Sequence, residues 1–127
     1  MKFVLSGILM FVFVYVGCEQ QQSVTAPDLT SSGRQFVEML AGGDYAKVFE
    51  TFDAAMKDAM PVGQIDAAWQ SLVAKVGAFQ EIAGVRQAKE QNFDVVYVTC
   101  SFEQAQVDVK VVYDSKKEVS GLWFAPR

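Results

Sequence analysis

The chain has 127 residues, 51% of them hydrophobic, with 11 basic and 15 acidic residues and a net charge of −4. That length suits one domain, and the mild acidity argues against nucleic acid, whose binding needs clustered Lys and Arg; Lys116-Lys117 is the only adjacent basic pair. There is no histidine, which removes Ser-His-Asp and Cys-His catalysis, the commonest metal ligand and the near-neutral pH switch together. No carboxylate spacing fits a calcium loop, and a zinc site would have to use carboxylates and a cysteine, so no metal and no cofactor is expected.

At the N-terminus, Met1 and Lys2 precede an apolar and small run, Phe3 to Gly17, that ends at Cys18. One positive charge, a short apolar core and a small residue before a break make a secretory signal over residues 1–17. The alternatives are a permanent span, which needs about 20 apolar residues, and ordinary secretion with Cys18 as a bystander. The run is too short for the first, and Glu19 with three glutamines follows it. Tyr15-Val16-Gly17-Cys18 resembles the lipobox of bacterial lipoproteins. That resemblance implies cleavage after Gly17, lipidation of Cys18 on sulfur, and a membrane-anchored protein on the extracytoplasmic side, in the cell envelope. Lipobox cysteines carry at least two acyl chains, and two chains hold a protein firmly where one holds marginally. With Cys18 so used, Cys100 has no disulfide partner.

Residues 18–28 read as the lipidated cysteine and a flexible tether: polar, interrupted by Pro27, with little to bury. Residues 29–127 read as a single domain. Thr30, Ser31 and Ser32 offer N-caps to a first helix with Phe36, Val37 and Leu40 on one face and Met39 beside them, closed by Gly42-Gly43. Asp44 caps a short helix with Tyr45, Val48, Phe49 and Phe52 as its stripe, and Asp53 restarts it through Ala54 to Met60. Pro61 introduces a further helix in which Ile65, Trp69, Leu72, Val73 and Val76 share a face, ended by Gly77.

Beyond Gly77 the apolar period changes to two. Ala78 to Gln87 is a candidate strand whose Phe79 and Ile82 are irregularly placed. Gln91-Asn92 reads as a turn. In Phe93 to Phe102, Val96, Val98, Cys100 and Phe102 share one face, and Val95, Tyr97, Thr99 and Ser101 the other. Glu103-Gln104 turns the chain into a strand with Ala105, Val107, Val109, Val111 and Tyr113 on one face. Asp114 to Lys117 is a hairpin loop, and Val119 to Phe124 the last strand, ended by Pro126. Helices followed by strands indicate an α+β domain, with the helices packed in the concave side of a curved antiparallel sheet.

Several of these residues resemble a known family. They are Gly43-Asp44-Tyr45, Phe52-Asp53 and Met56, Trp69 with Leu72, Gly77-Ala78-Phe79, Phe102, Asp108-Val109 and Gly121-Leu122-Trp123-Phe124. Together they resemble a family of small uncharacterised domains in the nuclear-transport-factor-2-like superfamily, over about residues 33–126. The resemblance implies the cone of the cystatin-like fold, shared with ketosteroid isomerases and SnoaL-like cyclases. It also implies a domain found alone in lipoproteins and ahead of serine-hydrolase domains. It carries no catalytic residue across.

A ketosteroid-isomerase-like site needs a carboxylate base with a tyrosine and a protonated aspartate as oxyanion hole. Asp94, Asp108, Tyr97 and Tyr113 are the candidates, and solvated carboxylates with core or rim tyrosines are the plainer reading. Trp69 and Cys100 are expected in the core, with Met39, Met56 and Met60 as fillers. Trp123, Tyr97 and Tyr113 are the candidates for a pocket or interface. The expectation is a non-enzymatic domain binding a small apolar ligand or an envelope protein. The alternatives are an isomerase, cyclase or hydratase using a pocket carboxylate, and a self-associating module, a homodimer through Val95, Tyr97 and Val112.

Overall fold

The computed structural model describes residues 28–127. The expected signal over residues 1–17, Cys18 and the tether up to residue 27 lie outside the described residues. No described helix is long and apolar enough to cross a membrane. Four helices come first: α1 (Thr30–Gly42), α2 (Tyr45–Glu50), α3 (Ala54–Ala59) and α4 (Val62–Val76). Four strands follow, β1 (Phe79–Glu90), β2 (Phe93–Phe102), β3 (Gln106–Tyr113) and β4 (Val119–Pro126), paired antiparallel in the order β1-β2-β3-β4. The fold is α+β, with one face of the sheet covered by helices.

The start of α1 differs from the sequence expectation. None of Thr30, Ser31 and Ser32 caps it; the helix begins at Thr30 with Leu29 at the cap position. Asp28, assigned to the tether, accepts hydrogen bonds at Oδ1 from the Thr30 backbone N–H, at 3.0 Å, and from the Thr30 hydroxyl. Leu29 is buried, and its N–H donates to Gln87 Oε1 at 2.9 Å. The α1 C-terminus is as expected: Gly43, at φ 81°, takes the left-handed conformation that costs glycine no Cβ clash. Asp44 begins α2 without a side-chain cap, whereas Asp53 caps α3 by accepting from the Met56 N–H at 2.8 Å.

Helix α1 lies close on the sheet because Gly33 has no side chain. A Cβ there would fall onto the Val96 Cγ1 methyl and stand 3.1 Å from Val96 Cβ and 3.4 Å from Val98 Cγ2. Phe36, Val37 and Leu40 then join one core with the inner-face residues Val96, Val98 and Cys100 of β2 and Val107, Val109 and Val111 of β3. Trp69 of α4 lies among Phe79, Phe102 and Phe124, with ring centroids 6.2, 5.6 and 6.2 Å away, in the tilted and edge-on arrangements that aromatic quadrupoles favour. The α2–α3 junction is tied to β4 by two backbone hydrogen bonds, Asp53 N–H to Val119 O at 2.9 Å and Val119 N–H to Thr51 O at 2.8 Å.

Strand β1 runs three residues further than expected, to Glu90, and its register against β2 shifts between Phe79 and Glu81 and again between Ile82 and Gly84. Each bulge spends one extra residue and bends the strand. Phe79, Ile82 and Val85 therefore all meet the core, opposite Phe102, Cys100 and Val98, although they are spaced by three. Gln91 and Asn92 both have positive φ, 51° and 70°, and form the two-residue turn that suits the right-handed twist of a hairpin.

Candidate functional site

The face of the sheet turned away from the helices carries a row of four side chains, one per strand. The register pairs Arg86 with Tyr97, Tyr97 with Lys110, and Lys110 with Trp123. Cation and aromatic alternate along it. The Arg86 guanidinium stands 4.0 Å from the centroid of the Tyr97 ring, and Lys110 Nζ is 5.8 Å from the Tyr97 ring and 5.3 Å from the Trp123 ring. All three lie within the reach of cation–π attraction, about 6 Å. Glu90, at the end of β1, closes the network: its carboxylate accepts from the Tyr97 hydroxyl and pairs with Lys110 Nζ at 3.1 Å. The bond from Tyr97, and after it Lys110, holds the Glu90 carboxyl below its ordinary range. The same bond raises the Tyr97 hydroxyl, and Glu90 raises the Lys110 ammonium. Near neutral pH the row thus keeps a carboxylate, a protonated phenol and a charged ammonium.

Beside this row lies a depression of about 330 Å³. Its floor is Val95, only 1% exposed although it faces away from the helices, together with Val112. Two aromatic side chains rim it: Trp123, 55% exposed, and Phe93, 41% exposed. Lys110, Glu90 and Ser120 add polar edges. The indole is folded back along β4 over Gly121, where a Cβ would stand 2.5 Å from Trp123 Cζ3 and 2.7 Å from Cη2. The site combines an apolar seat, two large aromatic edges and fixed charges of both signs.

Tyr97 and Trp123 share this outer face; Tyr113 does not. Tyr113 is 4% exposed and belongs to the core cluster on the helix side. Burial pushes its hydroxyl up to about 12. Asp108 accepts from the Thr99 hydroxyl at 2.7 Å and pairs with Arg127 Nε at 3.6 Å; Asp94 pairs with Lys89 at 3.2 Å. Among the described residues no carboxylate is buried, and none groups with others as a metal site would require. Cys100 is fully buried, and desolvation, followed by the nearby Asp108, pushes its thiol up to about 12. A thiol so protonated is a poor nucleophile.

Residues 33–122 match a family described as protein of unknown function, DUF3887. The chain belongs to the DUF3887 family. The matched DUF3887 segment includes Glu90, Tyr97, Lys110 and Tyr113 and ends one residue before Trp123. The chain is also similar to a curated protein of Thermotoga maritima named Esterase EstD, with 25% identity over 89 residues. That alignment covers 70% of this chain and 22% of the esterase, so the chain spans about a fifth of that relative's length. No solved structure matches the chain.

Sequence reasoning named Tyr97 and Trp123 but missed Arg86, Glu90, Phe93 and Lys110 of the DUF3887 domain. The signal was present in the turns. Counting outward from Gln91-Asn92 pairs Glu90 with Phe93 and Arg86 with Tyr97, and counting from Glu103-Gln104 pairs Tyr97 with Lys110. Both turns are legible in the sequence, and the pairing register follows from them.

Proposed function

We propose that the chain is a non-enzymatic binding module, held at a cell-envelope membrane by a lipidated Cys18. It takes a small apolar ligand or the apolar side chain of an envelope protein on the outer face of its sheet. The observation that carries this reading is the depression under Trp123 and Phe93. Its apolar floor is already desolvated, while its two largest aromatic edges stand open to solvent. Exposed Trp beside Lys and Glu is the composition of an anchor point with a polar rim. Helices preceding a four-stranded antiparallel sheet, with one face covered, support the finer reading of a nuclear-transport-factor-2-like cone. The likeness to a protein named an esterase supplies no hydrolytic reading: the shared stretch is 22% of that protein, and this chain has no histidine.

Two measurements test the proposal. For the anchor, the intact protein is expected in the membrane fraction and a Cys18→Ser variant in the soluble fraction; a variant still wholly membrane-bound refutes lipidation. For the face, native mass spectrometry and thermal shift against envelope lipids and peptides are compared for the intact protein and Trp123→Ala. A ligand whose binding survives the substitution unchanged places binding elsewhere. A self-associating module is the second reading, favoured by the same exposed Trp123 and Phe93. Micromolar sedimentation showing a dimer that Trp123→Ala dissociates would give the face to a second copy.

A further inference from the structure

Tyr113 presents a separate question. Its side chain is almost wholly buried, yet its hydroxyl has no hydrogen-bond partner among the described residues, although buried tyrosines ordinarily find one. The residue lines a cavity of about 150 Å³ between α1, the end of α2 and the β3–β4 turn. Phe36 and Met39 give this cavity an apolar side. Ser32, Gln35 and Lys117 stand at its mouth, and no Asp or Glu lines it. Thr51 also lines it, but its hydroxyl is already spent, donating to Val48 O at 2.7 Å. Lys117 sits in a left-handed conformation, φ 64°, with its N–H bonded to Asp114 O at 3.0 Å, and its ammonium makes no ion pair among the described residues.

We propose that this cavity is a binding site for a small carboxylate with an apolar body, its carboxylate taking the Tyr113 hydroxyl and the Lys117 ammonium. Each part of that chemistry answers a feature of the site. The phenol offers a proton and lacks an acceptor. The cation lacks an anion. The apolar side would be left empty by inorganic phosphate, and a neutral alcohol would leave Lys117 unmatched. A cavity of this volume holds a body about the size of benzene. The site lies on the helix side of the sheet, opposite the Trp123 depression, so it stands or falls independently of the function proposed above.

The test is a titration of the full-length protein with benzoate and hexanoate, with benzyl alcohol and inorganic phosphate as comparators, followed by amide chemical shifts. Saturable shifts are expected at α1 and the β3–β4 turn, with a Kd of about a millimolar or tighter. Tyr113→Phe keeps the ring and the fold, checked by circular dichroism, and is expected to weaken carboxylate binding at least about tenfold, the lower end of the worth of a hydrogen bond to a charged group. Lys117→Gln is expected to abolish the preference for benzoate over benzyl alcohol. Absence of saturation at about ten times that concentration overturns the proposal. So does a Tyr113→Phe variant that binds benzoate as well as the intact protein, or phosphate binding as tightly as benzoate.

Discussion

Gly33→Ala sets two effects of opposite sign against each other at the contact that seats α1. In an exposed helix, replacing Gly by Ala stabilises by about 1 kcal/mol, because Ala loses less backbone entropy. At Gly33 the new methyl would meet Val96 Cγ1 and stand 3.1 Å from Val96 Cβ, against an optimum of about 3.5–4.0 Å between carbons. Val96 and Val98 are both wholly buried, so neither can yield without moving its neighbours. Overpacking of this kind costs about 1–3 kcal/mol, and a clash with two immovable valines belongs at the upper end. The net expectation is destabilisation by about 1–2 kcal/mol, or roughly 4–16 °C in Tm for a domain of this size. Gly63 is the control: it lies in α4, is exposed, and a Cβ there meets nothing within 4 Å. Gly63→Ala is expected to be neutral or to stabilise by up to about 1 kcal/mol. Urea denaturation of both variants and of Gly33→Ala/Val96→Ala gives the answer. The double variant should be less destabilised than the sum of the singles, since removing the Val96 methyls makes room. A Gly33→Ala protein as stable as the parent would refute the reasoning, because the helix–sheet approach would then not be limited at Gly33. Ser32, Gln35 and Phe36 ride on the same helix, so the cavity beside Tyr113 should open as α1 lifts.

Three further outcomes are expected. Gly121→Ala drives a methyl to 2.5 Å from Trp123 Cζ3; the exposed indole can swing away, so stability should change by under about 1 kcal/mol, while acrylamide quenching of Trp123 rises. Tyr97→Phe removes the first cause of the lowered Glu90 carboxyl, and carbon-detected titration should show that carboxyl moving up toward its ordinary range while Lys110 still holds it below. The sign follows from linkage: a depressed carboxyl stabilises above its unfolded value and loses that contribution as pH falls through the folded one, so the intact protein should depend on pH more steeply than the variant in acid. Tyr113 and Cys100, both pushed up to about 12 by burial, act at the other end. Their raised values favour the fold below the unfolded values, near 10 for Tyr and 8.5 for Cys, and that contribution is lost as pH rises toward about 12. Alkaline unfolding should therefore shift upward in a Cys100→Ala/Tyr113→Phe variant, and native Cys100 should resist thiol reagents at pH 8.

Much of the domain is legible in its residues. Phe36, Val37 and Leu40, and Ile65, Trp69, Leu72 and Val76, fall at helical spacing, and burial follows that spacing. Val96 to Phe102 and Val107 to Tyr113 alternate because successive strand side chains point to opposite faces, and one face is covered. Turns at Gln91-Asn92 and Glu103-Gln104 follow from local chemistry and set the pairing register. Strand β1 was blurred for a physical reason: two bulges space Phe79, Ile82 and Val85 by three, so the period of two disappears although all three meet the core. The Asp28 bonds to Thr30 are local, but the bond from the Leu29 N–H to Gln87 of β1 is not, so local pattern alone left Asp28 in the tether.

What the sequence determined by itself was therefore the order of helices and strands, the α+β class, the inner stripe and the absence of histidine chemistry, all of which depend on local period and composition. How far each aromatic is covered was decided by tertiary structure. Alternation put Tyr113 on the inner stripe and Tyr97 off it, but only the docked helices bury Tyr113 to 4% exposure, and only the folded sheet sets Lys110 against the Tyr97 ring. The outer row and the unpartnered phenol both come from contacts between residues distant in the chain. Such contacts depend on side-chain conformation and helix docking, which no window along the sequence contains.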